Sequence, residues 1–375
     1  MLKFVRILAC LLATVLLLSA LALAVGAAPV VSGECACLYL PQNNILIYDK
    51  NAHKRHPMAS TTKIMTALVV LENCNLDETV VIPKEATGIE GSSIYLKPEE
   101  CHTVENLLYA LLLASANDAA AALAIHAAGN VEAFADMMNE CAAELALQDT
   151  HFTNPHGLAD PEHYTTAADL ARITAAAMQN QAFSAIVSTK SKVISTLDGS
   201  DTRTLINHNK LLRQYEDCVG VKTGFTKKSG RCLVSAAERD NMLLIAVTLD
   251  APDDWRDHTS LLDYGFSLYE GRELCEANTF FFDLPVIGGK AETVRISARN
   301  QASVVLERDS APLKPSFEIN RFAIAPIKEG QVLGMIRYTQ NGRTVATVPL
   351  LAEESVVKAK IQYNLFEKIK NFLNL

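Results

Sequence analysis

A hydroxyl and an amine three residues apart meet only where the backbone between them is helical, and Met58-Ala59-Ser60-Thr61-Thr62-Lys63 sets that condition for its surroundings. The stretch opens an apolar run over 64–71. A helix over 61–73 would place Ser60 and Lys63 on one face, one turn apart, with the Lys63 amine in reach of the Ser60 oxygen. Ser60 would then lie at the helix N-terminus, where free N–H groups and the positive end of the helix dipole favour developing negative charge. Serine beside an amine base is one form of activated nucleophile. The same residues also describe a helix N-capped by Ser60 with Lys63 in solvent, so the spacing needs support from elsewhere in the chain.

With 375 residues, 49% of them hydrophobic, the chain can bury two domain cores. A net charge of −8 and the lack of a basic, aromatic-interleaved cluster argue against a nucleic-acid partner. The histidines show no His-Glu-x-x-His spacing, the cysteines no Cys-x-x-Cys pair, and no phosphate-binding glycine motif appears, so no metal or organic cofactor is expected. His53 and His56 read as parts of a solvated loop. Residues 1–28 have a basic start (Lys3, Arg6), an apolar stretch and a small-residue exit, the layout of a secretory signal; an uncleaved anchor is the alternative. Either reading puts the rest of the chain outside the cytoplasm. Eight cysteines remain after Cys10, and mostly free thiols are expected.

Residues 33–50 read as a β-hairpin around Pro41-Gln42-Asn43-Asn44, and 91–96 as a loop or short strand. Residues 104–147 show helical periodicity, interrupted at Ser115-Ala116-Asn117-Asp118 and at Gly129-Asn130. A turn over 154–160 leads to a threonine-capped helix after Thr166. Strands are predicted over 219–224, 231–238 and 242–249, with a helix over 255–269. Helices and an antiparallel sheet sharing one core imply an α/β domain over 29–270. A small all-β domain follows over 271–354, with turns at Gly288-Gly289 and Asn341-Gly342. In the tail, 355–375, Val357, Ile361, Leu365, Ile369 and Phe372 recur at helical spacing among four lysines and one glutamate, which predicts an amphipathic helix for an anionic membrane surface.

Three signals now stand in order: Ser60-x-x-Lys63, Ser115-x-Asn117 and Lys222-Thr223-Gly224. With Gly91-Ser92-Ser93-Ile94-Tyr95-Leu96, Asn154-Pro155-His156-Gly157-Leu158 and Lys222-Thr223-Gly224-Phe225-Thr226, the chain resembles the low-molecular-mass penicillin-binding proteins that are D-alanyl-D-alanine carboxypeptidases. The resemblance implies a β-lactamase/transpeptidase-like fold, an antiparallel sheet with helices on both sides plus an all-helical part. It also implies no cofactor, β-lactams as covalent inhibitors, and the D-Ala-D-Ala end of a peptidoglycan stem peptide as substrate, at the outer face of the cytoplasmic membrane. By resemblance Ser60 is the nucleophile, Lys63 its base and Ser115 a proton relay. Asn117, Lys222, Thr223, Gly224 and Phe225 would bind substrate, with the backbone N–H groups of Ser60 and Phe225 as an oxyanion hole. Lys228-Ser229-Gly230 also fits the third signal but falls in a predicted turn, so Lys222 is chosen. Arg256 reads as a surface residue, and His156 and Asp160 as loop-holding residues.

A β-lactamase also needs a glutamate poised on a loop after Ser-x-Asn, and Glu132, Glu140, Glu144, Glu162 and Glu216 lack that context. An endopeptidase cutting peptide cross-links would share the same fold and the same three signals. A catalytically inactive wall-binding protein would need only the tail and the β domain, and the intact Ser60, Lys63 and Lys222 argue against it.

Overall fold

Apolar residues between turn-forming ones build the sheet. In the computed structural model, which describes residues 27–360, β1 (Cys35–Leu40) and β2 (Ile45–Lys50) form the expected hairpin, turned through Asn44 in left-handed backbone (φ 52°). A 3-10 turn, Ala59–Thr62, leads into α1 (Lys63–Asn73). After the short pair β3 (Thr79–Val81) and β4 (Cys101–Thr103) come α2 (Val104–Leu113), α3 (Asn117–Ala128) and α4 (Val131–Glu144). The breaks fall where helix-poor residues stand. Ser115 takes a left-handed φ of 61° between α2 and α3, Gly129 (φ 83°) ends α3, and Asn130 caps α4 by accepting from Ala133 N–H at 2.7 Å.

Helix α5 (Ala167–Met178), capped by Thr166, precedes α6 (Gln181–Ser188), the hairpin β5 (Ser191–Ser195) and β6 (Thr202–Ile206), and a single turn α7 (Leu211–Gln214). Then come β7 (Cys218–Thr226), β8 (Gly230–Arg239), β9 (Met242–Leu249) and α8 (Asp254–Leu268). The five-stranded antiparallel sheet has the order β2-β1-β9-β8-β7. Helices cover both of its faces. Cys37 donates to the Ala167 carbonyl of α5, whereas Thr248, paired with the adjacent Ala36 and so pointing the other way, meets His258 of α8. Gly265 lets α8 lie directly on Leu38 and Leu244.

From Gly271 onward the described residues form a second compact unit. β10 (Tyr269–Cys275) pairs with β13 (Ala302–Glu307). A six-stranded sheet has the order β14-β16-β17-β12-β11-β15, from β11 (Thr279–Ile287), β12 (Thr293–Ala298), β14 (Lys314–Ile319), β15 (Ala323–Ile324), β16 (Val332–Gln340) and β17 (Arg343–Ala352). Asn341 and Gly342, both at positive φ (51° and 78°), make the predicted turn between β16 and β17. The core gathers Val294, Ile296, Ile336 and Leu350.

The structure corrects two expectations. His56 is 8% exposed, because its backbone pairs with Thr165 and its ring lies 3.7 Å from Glu34; His53 is exposed as expected. The tail does not become helical at Ser355: Val356 is buried and exchanges backbone hydrogen bonds with Ile327, and Lys358 bridges Gly289, since β-branched residues here find sheet partners. The remainder of the predicted tail helix, 361–375, and residues 1–26 of the predicted signal lie outside the described residues. All eight described cysteines are free. Among the described residues no helix is long and apolar enough to cross a membrane.

Candidate active site

The turn Ala59–Thr62 and the first residue of α1 place Ser60 and Lys63 together. Ser60 lies in the 3-10 turn just before the α-helix, one residue earlier than a helix over 61–73 would begin, and neither helix start carries a side-chain cap. Lys63 is fully buried, which removes the reading of a solvated first-turn lysine. Its Nζ lies 3.0 Å from Ser60 Oγ, 2.7 Å from Asn117 Oδ1 and 2.7 Å from the His156 carbonyl. Two of these three neighbours only accept. A neutral amine has two N–H groups and one lone pair; with the N–H groups donated to Asn117 and His156, the lone pair faces the Ser60 hydroxyl. Burial first, then the charge of Lys222, pushes the Lys63 ammonium well below its usual range, with Asp118 opposing. The shift favours the neutral form of the amine that stands against Ser60.

Lys222 stands on β7, 2% exposed, whereas Lys228 is exposed in the turn after it, so the structure places the burial at Lys222. Burial lowers its ammonium to about 7, and its Nζ donates to the Thr223 carbonyl at 2.9 Å. A Cβ at Gly224 would sit 3.1 Å from Ser60 N, so glycine brings the edge of β7 against the Ser60 turn. A cleft of about 340 Å³ opens between them. Ser60, Ser115, Thr223, Gly224 and Phe225 line it, while Lys63, Asn117 and Lys222 stand behind its wall. Asn117 is fixed by its own N–H to Ser92 O at 2.7 Å. The neighbouring Asp118 accepts from Ser93 Oγ (2.6 Å) and Leu96 N–H (3.0 Å), which ties the 91–96 loop to the start of α3.

Sequence reasoning missed several groups. Arg231 faces Phe225 across the β7–β8 register and lines the cleft, held by a bidentate pair with buried Asp254 at 2.8 Å. His208, Lys210 and Trp255 complete that side, and Arg256 is exposed and does not line the cleft. Cross-strand register was the only signal for Arg231, and it becomes readable once β7 and β8 are aligned on their turn. Behind Ser60, Thr153 N–H donates to His163 Nδ1 at 3.0 Å, which leaves Nε2–H for Thr62 Oγ1 at 2.8 Å, and that hydroxyl donates to Ala59 O at 2.7 Å. Burial holds His163 neutral, lowered to about 4, as this chain requires. His156, lowered to about 3 by burial, then by Lys63 and His163, contributes its backbone carbonyl to Lys63. Ala59 itself has φ 49°, and a Cβ on Gly157 would lie 1.9 Å from the Ala59 carbonyl oxygen.

A serine hydroxyl against a buried amine, with a second amine at the neighbouring strand edge and an α/β scaffold behind both, defines an enzyme of serine acyl transfer. Residues 25–253 match the D-alanyl-D-alanine carboxypeptidase family, peptidase S11, and residues 269–358 match the C-terminal domain of penicillin-binding protein 5. The D-alanyl-D-alanine carboxypeptidase DacF of Bacillus subtilis is 31% identical over 325 residues, 84% of this chain and 83% of its own. Penicillin binding protein 5 from Haemophilus influenzae has a similar structure (TM-score 0.64, 28% identity, 88% of this chain and 99% of that one). A DD-transpeptidase of Streptomyces (TM-score 0.62, 36% identity) matches over all of its chain but 64% of this one. The chain belongs to the D-alanyl-D-alanine carboxypeptidase family: it is a serine peptidase and a penicillin-binding protein of cell-wall metabolism.

Proposed function

We propose that Ser60 Oγ attacks the carbonyl of the penultimate D-alanine of a peptidoglycan stem peptide while Lys63 takes its proton. The C–O bond forms, the C–N bond to the terminal D-alanine breaks, and the proton returns through Ser115 to the leaving amine. Water then hydrolyses the ester. Asn117 holds Lys63 and the substrate amide; Lys222 and Thr223 receive the free carboxylate beside Gly224. The N–H groups of Ser60 and Phe225 stabilise the oxyanion, a role worth about 3 kcal/mol per donor. A β-lactam follows the same path, but its amine stays tethered, so the acyl-enzyme persists. The observation that supports these roles is the fully buried Lys63 amine, held 3.0 Å from Ser60 Oγ by two acceptors and pushed well below its usual range by burial and then by Lys222. Release of D-alanine from a diacyl-Lys-D-Ala-D-Ala peptide, with a benzylpenicillin adduct on the peptide containing Ser60, is expected; an adduct elsewhere, or rapid penicillin turnover without one, sinks the assignment.

Residues 29–270 are the catalytic domain in this reading, 271–354 a β domain, and residues 361–375 a basic amphipathic segment that adsorbs to the outer face of the cytoplasmic membrane. Its apolar spacing and lysines support the last point. Cosedimentation with anionic vesicles, lost on removal of 361–375, is the expected result; equal cosedimentation without the segment rejects it.

A further inference from the structure

Helices α1 and α3 meet at the active site by their N-terminal ends, through Lys63 and Asn117. At their other ends, on the order of 16–18 Å away by helix rise, a second set of side chains converges. Cys74 directly follows α1, His126 lies in the last turn of α3, and Glu78 stands just before β3. Cys74 Sγ, a Glu78 oxygen and a His126 ring nitrogen all lie within 4.8 Å of one another, each residue half-buried. His126 Nε2 and Glu78 Oε2 are 3.0 Å apart. The other carboxylate oxygen accepts from Asn75 N–H (2.7 Å) and Nδ2 (2.8 Å), so the carboxylate is already aimed.

A tetrahedral zinc ion holds its nitrogen and oxygen donors about 3.3 Å apart and its nitrogen and sulfur donors about 3.6 Å apart. The His126–Glu78 pair, 3.0 Å apart, stands near the first spacing, and the thiol, within 4.8 Å of both, needs a shift of about 1.2 Å or less to reach the second. We propose that Cys74, Glu78 and His126 form a zinc site that clips the C-terminal ends of α1 and α3 together. A mixed sulfur, nitrogen and oxygen set selects a borderline ion over magnesium or calcium, which take oxygen donors. Three protein ligands leave one position for water. Binding releases the thiol proton to solvent, the proton between His126 Nε2 and Glu78 moves to His126 Nδ1, and the His126–Glu78 hydrogen bond is exchanged for two bonds to metal. Asn75 remains as the outer partner that orients the carboxylate. The other group of potential ligands, Glu34, His56 and Asp250, is a weaker candidate because Lys54 already pairs with Glu34.

The purified protein, reduced and freed of metal by chelator, is titrated with Zn²⁺ against a chromophoric competitor and separately with Co²⁺. One equivalent of Zn²⁺ is expected to bind with micromolar or tighter affinity, and Co²⁺ should give a thiolate-to-metal absorption band in the near ultraviolet. Cys74→Ser should abolish the band and, like His126→Ala, weaken Zn²⁺ binding about 10- to 100-fold, whereas Cys101→Ser should leave both unchanged. Zn²⁺ at a hundredfold excess over Kd should raise the melting midpoint by roughly 5 °C, a shift absent in Cys74→Ser. Undiminished penicillin acylation shows that each variant is folded. No Zn²⁺ binding, Co²⁺ binding without the band, or a band that survives Cys74→Ser overturns the proposal.

Discussion

The two units of this chain treat polar groups in opposite ways. The unit that ends at Glu270 buries Lys63, Lys222, Asp118, Asp254, His163 and His258 among others, while from Gly271 on no charged side chain among the described residues is buried, and the buried hydroxyls are those of Ser297, Ser310 and Tyr338. A β core of Val294, Ile296, Ile336 and Leu350 asks only for shape. An interior that keeps two amines out of water gives up stability for them, because burying a charge is unfavourable and the groups respond by losing it. The difference teaches where chemistry resides: the costly interior is the one that carries a cleft.

The sharpest test of that contrast removes chemistry without removing packing. Ser60→Ala should lower D-alanine release by about 10⁴-fold or more and abolish the penicillin adduct, with the melting midpoint unchanged. Lys63→Met should slow acylation by roughly 10³-fold while stability holds or rises, since a buried amine gives way to an apolar side chain of similar length. A steep loss of stability would instead make Lys63 a structural residue and break the comparison.

The pH profile comes next. Activity should rise as Lys63 loses its proton, and kcat/KM should fall about tenfold per pH unit above about 7, where free-enzyme Lys222 loses its own. A bound carboxylate favours the charged form, so the alkaline limb of kcat should move to higher pH than that of kcat/KM. Stability has the opposite slope. The folded-state value of Lys222 lies below that of an unfolded lysine, so the unfolded chain binds more protons between the two values. Each pH unit from 7 to 9 should thus add about 1.4 kcal/mol relative to Lys222→Met. Parallel stability profiles for the two proteins would refute the shift. Last, Ile336→Ala should destabilise the second unit by about 2–5 kcal/mol and leave kcat/KM on a soluble peptide within about twofold. A larger loss of activity would mean that the second unit serves the cleft.

The sequence showed what depends on neighbours along the chain. Hairpin turns, the breaks at Ser115 and Gly129, the Thr166 cap and the three spaced signals are local, so their residues announce them. What depends on distant pairing stayed hidden. His56 is buried by Thr165, Val356 is drawn into extended pairing by Ile327, and Arg231 reaches the cleft only because β8 returns beside β7. The His156 contribution was hidden for another reason: a backbone carbonyl has no residue type to give it away. Cys74, Glu78 and His126 were equally invisible, since they converge from separate elements.

Gly157 carries a consequence for how variation across relatives would be interpreted. Its missing side chain is the room that the Ala59 carbonyl occupies, and any replacement would push the turn bearing Ser60 away from the segment whose carbonyl steadies Lys63. Position 157 would therefore stay constant through divergence as strictly as the nucleophile, although it donates, accepts and binds nothing in the reaction. Invariance at such a site records an occupied volume, and only a structure separates that history from the history of a reacting group.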